Sequence, residues 1–527
     1  MAFDFAPLAM PDPPPVGRVP VVIVGAGPVG VTLAIDLAQR GVASVVLDAK
    51  DRVSNGSRAI CWAKRTLEIF DRLGIGDRML AKGVTWTVGR LFHGAKEVYA
   101  FDLLPEAGHK YPAFVNLQQY YVEHYLIERA SDFPDLIDLR FHSSVTDHTD
   151  RGGHVVLRVE APGGAYALEA DYVIACDGSG SPIRKRMGLP FEGQSFDEHF
   201  LIADVEMAEN PYASDAAERH FWFEPPFHPG ESALLHKQPD DIWRIDLQLS
   251  PDADRQAEAT EARVLPRLKA MLGDTPFRMD WLSVYRFRCA RLDRFIHGRV
   301  IFAGDSAHVV SPFGARGGNG GVQDADNLGW KLAAVLDGAP GALLATYDEE
   351  RGHAADENIL NSSRATTFMT PKTPVERLLR TEVLRLSHDH AAIRPFINSG
   401  RLSKPASYEG LTLQGPPPAG TPLRDARIQT ADGPRWLIEV VPGHACLLIL
   451  GAPDVTVPPD LSVLRVAADG SPSEAVAIDI DSQTRARLGW DVAHLLRPDG
   501  HIAETLTSGD VAPALARLRV AQPVVAE

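Results

Sequence analysis

Apolar and polar positions alternate in blocks along this chain. Pro20-Val-Val-Ile-Val24 is a short β-branched run of the kind a fully buried strand carries. It ends in Gly25-Ala-Gly-Pro-Val-Gly30, and residues 31–39 continue as a helix. A second apolar run, 45–47, closes at Asp48. Residues 63–73 place Leu67, Phe70 and Leu73 at helical spacing, and residues 116–126 read as a helix start. Runs at 139–142, 155–160 and 167–169 alternate as a small β-meander, with turns at Arg151-Gly-Gly and Pro162-Gly-Gly. Residues 170–176 return as a buried strand that stops at Asp177-Gly178.

From about 191 to 284 the texture changes to strands with two distinct faces. In residues 242–249, Trp243, Ile245, Leu247 and Leu249 fall on one side, with Arg244, Asp246 and Gln248 on the other. Another β-run leads into Gly304-Asp305. The glycine-rich stretch 312–321 follows, then a helix over 322–336. Gly415-Pro-Pro-Pro-Ala-Gly420 reads as a linker, and a strand-like run at 445–450 opens the tail.

Length and composition fit this pattern. The 527 residues allow two or three domains, and 45% apolar with 23% charged content suits a globular chain. A net charge of −16 disfavours nucleic acid and anionic membrane as partners. The four cysteines, Cys61, Cys176, Cys289 and Cys446, are far apart, which predicts reduced thiols and no metal site. The opening residues 1–18 are proline-rich and read as a loose leader, so the expected location is the cytoplasm.

The chemistry starts at the first glycine turn. Gly25 serves the tight bend, Gly27 admits a pyrophosphate to the backbone, and Gly30 follows in the helix. Pro28 opens the helix, whose dipole favours the phosphate's charge. The acid at Asp48 stands where a ribose hydroxyl would be bound. Arg58, in a polar loop, is either a phosphate ligand or a solvated charge. His220, Trp222 and His236 either line an aromatic pocket or belong to a half-exposed sheet face. His308 reads as a hydrogen-bonded spacer.

Three spaced motifs carry a resemblance. They are Gly25-Ala-Gly-Pro-Val-Gly30, Asp177-Gly-Ser-Gly-Ser-Pro-Ile-Arg184 and Gly304-Asp-Ser-Ala-His-Val-Val-Ser-Pro312. With them the chain resembles the class A FAD-dependent aromatic hydroxylases, nearest the branch of phenol hydroxylase and 3-(3-hydroxyphenyl)propionate hydroxylase. The resemblance covers about residues 18–385. It implies an α/β fold: a Rossmann-like FAD-binding domain of the GR2 type over 19–190 and 285–385, with a β-sheet substrate domain, 191–284, inserted in it. A linker, 386–420, then leads to a thioredoxin-like C-terminal domain, 421–527, that lacks a CxxC.

The resemblance also implies roles. Asp48 would bind the adenosine ribose, Arg58 the diphosphate, Gln119 the ribityl chain and Val145 the adenine through its backbone. Asp177 and Gly178 would serve FAD and the nicotinamide cofactor; Gly304 and Asp305 would hold the ribityl hydroxyls. Gly317, Gly318 and Asn319 would face the flavin pyrimidine edge, with Pro312 beside the reaction centre. The implied reaction consumes NADH or NADPH and O2 and hydroxylates a phenolic or similarly activated ring through a flavin C4a-hydroperoxide. His236 and His220 are candidate bases for the phenol, and Arg244 a partner for a substrate carboxylate. The alternatives are an oxygenase of a polyketide-like aromatic or antibiotic, and a non-oxygenating flavin-binding reductase or structural relative. The family also suggests a homodimer.

Overall fold

A computed structural model of the chain describes residues 17–54, 59–104, 106–212, 217–250, 252–397, 404–473 and 476–519. Its first sheet is the one the glycine turn predicts. The strand Arg18–Val24 lies between Gly164–Ala175 and Ser44–Leu47, all three parallel. Val300–Phe302 extends the sheet on one side and Ile137–Arg140 on the other, again in parallel. Buried β-branched residues fill these strands because helices cover both faces of such a sheet. The registers pair Val24 with Ala175 and with Leu47, and Ala175 with Phe302. Four strands therefore end level, and the turns after them emerge side by side. The expected meander differs in its first strand: the run at 139–142 belongs to the parallel strand Ile137–Arg140, and Val155–Ala161 pairs antiparallel with Ser144–Asp150 on one side and the first half of Gly164–Ala175 on the other.

The second sheet is larger than the range 191–284. Its order is His308–Val309, Arg278–Arg291, Glu192–Glu206, Ile242–Leu249, Ser232–Lys237, Arg219–Phe223, Val88–His93 and Lys96–Asp102. It borrows two strands from 88–102, and a boundary at 284 would cut Arg278–Arg291 in half. The alternation expected in Ile242–Leu249 holds. Trp243, Ile245 and Leu247 pack beneath the helix Glu261–Leu272 with Val264, Leu268 and Met271. Arg244 and Asp246 face the other way, the side on which Leu234, the strand partner of Asp246, clusters with Phe313.

A three-stranded sheet of Cys61–Ala63, Phe114–Asn116 and Val84–Trp86 bridges the two large sheets. Asn116 Nδ2 donates to the Lys237 carbonyl at 2.8 Å, and Gln118 Nε2 to that of Pro239 at 3.1 Å.

The tail forms a mixed seven-stranded sheet with Cys446–Leu450 inside it. The linker expected at 386–420 is not loose. The helix Pro374–Asp389 runs into it, and Ala406, Tyr408, Leu413 and Ala419 are buried.

Charged side chains fasten the tail to the first unit. The Glu350 carboxylate accepts from Arg497 Nη1 at 2.6 Å, Lys331 Nζ at 2.7 Å, Asn327 Nδ2 at 2.7 Å and Gln414 Nε2 at 2.8 Å. Arg497 also pairs with Asp499, which accepts from Trp330 Nε1 at 3.1 Å. The Lys331, Glu350, Arg497 and Asp499 side chains are wholly buried. Burial drops the Lys331 ammonium to about 8 against the pull of Glu350. Glu350 is held at about 2, burial being outweighed by Arg497 and Lys331.

Candidate functional site

The turns at the level strand ends form one centre. Gly25 has φ +113, and its N–H donates to the Leu47 carbonyl at 2.7 Å. A Cβ there would drive into the Cys176 carbonyl, and one on Gly30 would strike the Gly25 carbonyl. These two glycines are fixed by the protein's own packing. A Cβ on Gly27 would meet nothing within 4 Å, so the space beside it is open.

The helix Pro28–Gln39 starts at Gly27 with no side-chain cap. Pro28 has no N–H, and the Ala26 N–H is spent on Asp48 Oδ2 at 2.8 Å. Among the described residues, the N–H groups of Gly27, Val29 and Gly30 have no acceptor. Three donors on a positive helix end make an anion seat. Asp48 Oδ1 accepts from Lys50 N–H at 2.8 Å, so this carboxylate braces both turns and keeps lone pairs for a hydroxyl.

The second turn supplies Asp177 and Gly178. Burial pushes the Asp177 carboxyl up, and its Oδ1 is buried with no partner, while Oδ2 accepts from Ile183 N–H at 3.2 Å. Gly178 has φ +81 and open space at its Cβ position.

The third turn is Gly304-Asp305. Gly304 has φ +66, and its N–H donates to Asp324 Oδ2 at 2.8 Å. Asp305 is exposed between buried Gly304 and Ser306. The helix Gly317–Leu336 begins with no side-chain cap, and its Gly317, Gly318 and Asn319 N–H groups have no acceptor among the described residues. A Cβ on Gly321 would lie 2.6 Å from Val29 and 3.2 Å from Gly304, so this helix start packs on the first and third turns. Asp324 holds the group together. It also accepts from His308 Nε2 at 2.7 Å and Arg351 Nε at 2.6 Å. Although buried, it stays ionised at about 2 because His308 and Arg351 outweigh the desolvation. His308 is thus the hydrogen-bonded spacer expected.

Gln119 Nε2 donates to Glu123 Oε1 at 2.7 Å, and Glu123 accepts from Ser54 N–H at 2.7 Å. Arg58 lies outside the described residues. Ser143 N–H donates to the Asp48 carbonyl at 2.8 Å, which sets Val145 beside the second strand's end. The Val145 carbonyl accepts from Arg186 Nη2 at 2.7 Å. Orphaned N–H groups at two helix starts, an orphaned buried carboxylate oxygen and space at Gly27 and Gly178 all fit a dinucleotide with a pyrophosphate.

The side chains of two groups of expected site residues point elsewhere. The Asn319 side chain does not face this centre. Its Oδ1 accepts from Ala63 N–H at 2.8 Å, and its Nδ2 donates to the Cys61 and Ala315 carbonyls at 2.8 and 2.6 Å. Only its backbone is offered. His220 and Trp222 lie on the face opposite His236, because successive strand residues alternate. Trp222 stacks on Phe92 at 5.3 Å inside the core under Glu261–Leu272, and His220 packs edge-on against Trp222. Neither can serve a ring held at the inner face.

The inner face divides in two. Its apolar part packs Phe200, Phe223 and Leu234 against Phe313, whose ring meets Phe200 at 5.1 Å. Pro312 is exposed beside it. The polar part is a row across the strands. His236 pairs with Arg244, and Arg244 with Asp204. Arg244 donates from Nε and Nη2 to the two Asp204 oxygens, both at 2.8 Å, so its charge is matched within the protein. His236 Nε2 lies 3.1 Å from Asp246 Oδ2, and both ring nitrogens are buried with no hydrogen-bond partner among the described residues. Burial, aided by the nearby Arg219 charge, lowers the His236 pKa to about 4. The ring is therefore neutral near pH 7 and can accept a proton. Burial opposes ionisation of Asp246, yet His236, Arg244 and Arg219 keep its carboxyl below the ordinary range.

Arg219, which the pattern analysis did not single out, completes the row. It is buried, and its Nη1 donates to the Cys61 sulfur at 3.6 Å, its one hydrogen-bond partner among the described residues. Its sequence signal was weak: one arginine before His-Phe-Trp-Phe in a strand of alternating faces. Two surface hollows, of about 350 and 420 Å³, lie elsewhere, by Gly74 and Arg129 and by His148 and Tyr166. Among the described residues no cluster of His, Cys, Asp and Glu could hold a metal ion, and no helix is long and apolar enough to cross a membrane.

The chain is similar to known proteins. A family model described as "FAD binding domain" matches residues 18–362. A flavin-dependent monooxygenase of Mycobacteroides abscessus is 35% identical over 354 residues, covering 63% of this chain and 70% of that protein. A 3-(3-hydroxy-phenyl)propionate/3-hydroxycinnamic acid hydroxylase of Mycolicibacterium gilvum is 30% identical over 523 residues, 92% of this chain and 88% of its own. The solved structure of OxyS anhydrotetracycline hydroxylase from Streptomyces rimosus superposes with a TM-score of 0.73 at 27% identity, covering 96% of this chain and 100% of that one.

Proposed function

The chain belongs to the FAD binding domain family and is a flavin-dependent aromatic monooxygenase, and from that premise we propose that it hydroxylates a phenolic or similarly activated ring at the expense of NADH or NADPH. The observation that carries this reading is the buried His236, its ring nitrogens without a hydrogen-bond partner among the described residues and Asp246 at 3.1 Å, on the sheet face where Leu234 packs with Phe313.

FAD, when bound, supplies the electron transfer and oxygen activation. Gly27, Val29 and Gly30 would hold its pyrophosphate, with Asp48, Gln119 and Val145 at the adenosine and ribityl portions. Asp177 and Gly178, then Gly304 and Asp305, would close on it from the adjoining turns. The Gly317, Gly318 and Asn319 N–H groups would receive its pyrimidine edge. The chain's own work is binding, orientation and proton handling. With its Nε2 proton turned to Asp246, His236 presents Nδ1 to a phenolic hydroxyl, and taking that proton makes the ring a better nucleophile. Asp246 would keep the tautomer and balance the positive charge that the imidazole takes up. Phe200, Phe313 and Leu234 exclude water from one side. Arg244, matched by Asp204, orders the row and is not a substrate partner in this reading. We read the tail as thioredoxin-like and structural, since Cys446 is its only cysteine.

A second reading, oxygenation of a polyketide-like aromatic, is supported by the end-to-end likeness to an anhydrotetracycline hydroxylase. The test is oxygen uptake by FAD-loaded protein with NADH or NADPH across simple phenols and polycyclic phenols, with product identified by mass. A hydroxylated simple phenol supports the first reading and a hydroxylated polycycle the second. Peroxide alone with every ring refutes both.

A further inference from the structure

The Gly304 turn is braced from outside its own motif. Asp324, which accepts from the Gly304 N–H, is gripped by Arg351 of the helix Ala342–Met369. Arg351 uses all three nitrogens of its guanidinium. Nε donates to Asp324 Oδ1 at 2.6 Å, Nη2 to the Gly320 carbonyl at 3.1 Å and Nη1 to Tyr408 Oη at 2.8 Å. Asp324 and Gly320 belong to Gly317–Leu336, the helix that opens at the loop assigned to the flavin. Tyr408 belongs to the stretch that leads into the tail.

The tail holds Tyr408 in place. Its N–H donates to the Gly420 carbonyl at 2.9 Å, and the Gly420 N–H to the Ile502 carbonyl at 2.7 Å. Its ring stacks on His501 at 4.7 Å, and the Arg497 guanidinium lies 5.5 Å from the ring centre. Burial pushes the Tyr408 phenol up to about 12, so near pH 7 it is a neutral acceptor. Tyr408, Arg351 and Asp324 are all buried, which leaves bulk water no access to replace the hydroxyl. A guanidinium is a rigid planar fork, so fixing one donor direction fixes the others. A hydroxyl set by the tail thus aims the group that aims the carboxylate under Gly304.

We propose that Tyr408 is a positioning residue for the flavin: its hydroxyl sets the Arg351 fork and, through Asp324 and the Gly320 carbonyl, the backbone assigned to the ribityl chain and the pyrimidine edge. The tail is thereby coupled to the cofactor site through one side chain. The inference rests on FAD lying at the three turns and is independent of which ring is hydroxylated.

Tyr408→Phe removes one oxygen and leaves the ring on His501. Deflavinated full-length protein is titrated with FAD, and the visible circular dichroism of the bound flavin is recorded. The variant should bind FAD at least fivefold more weakly than wild type and show an altered flavin spectrum. Trp330→Phe is the control. It breaks another contact of the same seam, Trp330 Nε1 to Asp499, and leaves Arg351 its three partners. Its FAD affinity should stay within twofold of wild type, with the flavin spectrum unchanged. Arg351→Lys keeps the charge and gives up the fork. In that background Tyr408→Phe should cost less than a further twofold, because residues acting in series do not add. Wild-type affinity and spectrum in Tyr408→Phe overturn the proposal. So does an equal loss in Trp330→Phe, or a full fivefold loss in the Arg351→Lys background. Should Tyr408→Phe not fold, Tyr408 replaced by 3-fluorotyrosine decides, since coupling is reciprocal. Its fluorine resonance should shift when FAD is loaded, and a resonance that stays put overturns the coupling. Wild-type protein that binds no FAD sinks the function above; tight FAD with none of these effects sinks this inference alone.

Discussion

Gly27→Ala separates folding from cofactor binding. At Gly27 the backbone has φ −76, which any residue adopts, and an added Cβ meets nothing within 4 Å. Replacing glycine by alanine at this helix cap costs the apoprotein about 1 kcal/mol or less. For FAD the same methyl stands where the pyrophosphate approaches the N–H groups of Gly27, Val29 and Gly30. A charge-assisted hydrogen bond is worth about 1.5–3 kcal/mol. Losing one therefore weakens FAD roughly 10- to 150-fold at 1.4 kcal/mol per decade. Gly30→Ala is the counter-case, because its Cβ strikes the Gly25 carbonyl. It should cost about 1–3 kcal/mol or more even without cofactor. The assay is urea unfolding of both apoproteins beside FAD titration by flavin fluorescence quenching. Gly27→Ala with wild-type FAD affinity would refute the placement of the pyrophosphate.

Three more outcomes are expected. His236 has a folded pKa of about 4 against 6.5 unfolded, so its stabilising share is full above 6.5 and is lost as pH falls toward 4. That share amounts to about 2 kcal/mol by pH 5, and His236→Gln should remove it, as unfolding free energies at pH 7.5 and 5 will read. Asp324→Asn leaves Arg351 buried without its counter-charge and loosens Gly304; a loss of about 3 kcal/mol and weaker FAD binding are expected, both by titration. Burial raises all four thiols, Cys446 to about 12, so a thiol reagent at pH 8 should label the native protein slowly and the unfolded protein at once.

The parallel sheet was legible because its strands are continuous apolar runs ending in glycine, a strong local signal. The site's backbone half was legible for the same reason: Gly25, Gly178 and Gly304 each adopt a positive φ that their motifs demand. What escaped is non-local. The strands Val88–His93 and Lys96–Asp102 join a sheet whose other members lie a hundred residues on, and no local pattern announces that pairing. The helix Ala342–Met369 buries residues on several sides, so its apolar positions trace no single stripe. Trp222 and Arg244 attracted a substrate reading by residue type. Only the pairing of strands reveals that one faces the core and the other is already partnered. Arg219 is the reverse, an unremarkable residue until the strand pairing places it across from His236.

The charged lock between Glu350 and Arg497 makes the last hundred residues a structural half of the helices they touch. Trp330 and Leu343 share a core with Leu447, Leu495 and Leu515. A chain truncated before the tail would open that seam, take Arg497 from Glu350 and bare Trp330 and Leu343 to water. Swapping tails between relatives would therefore transplant a lock without its key unless both partners travelled together.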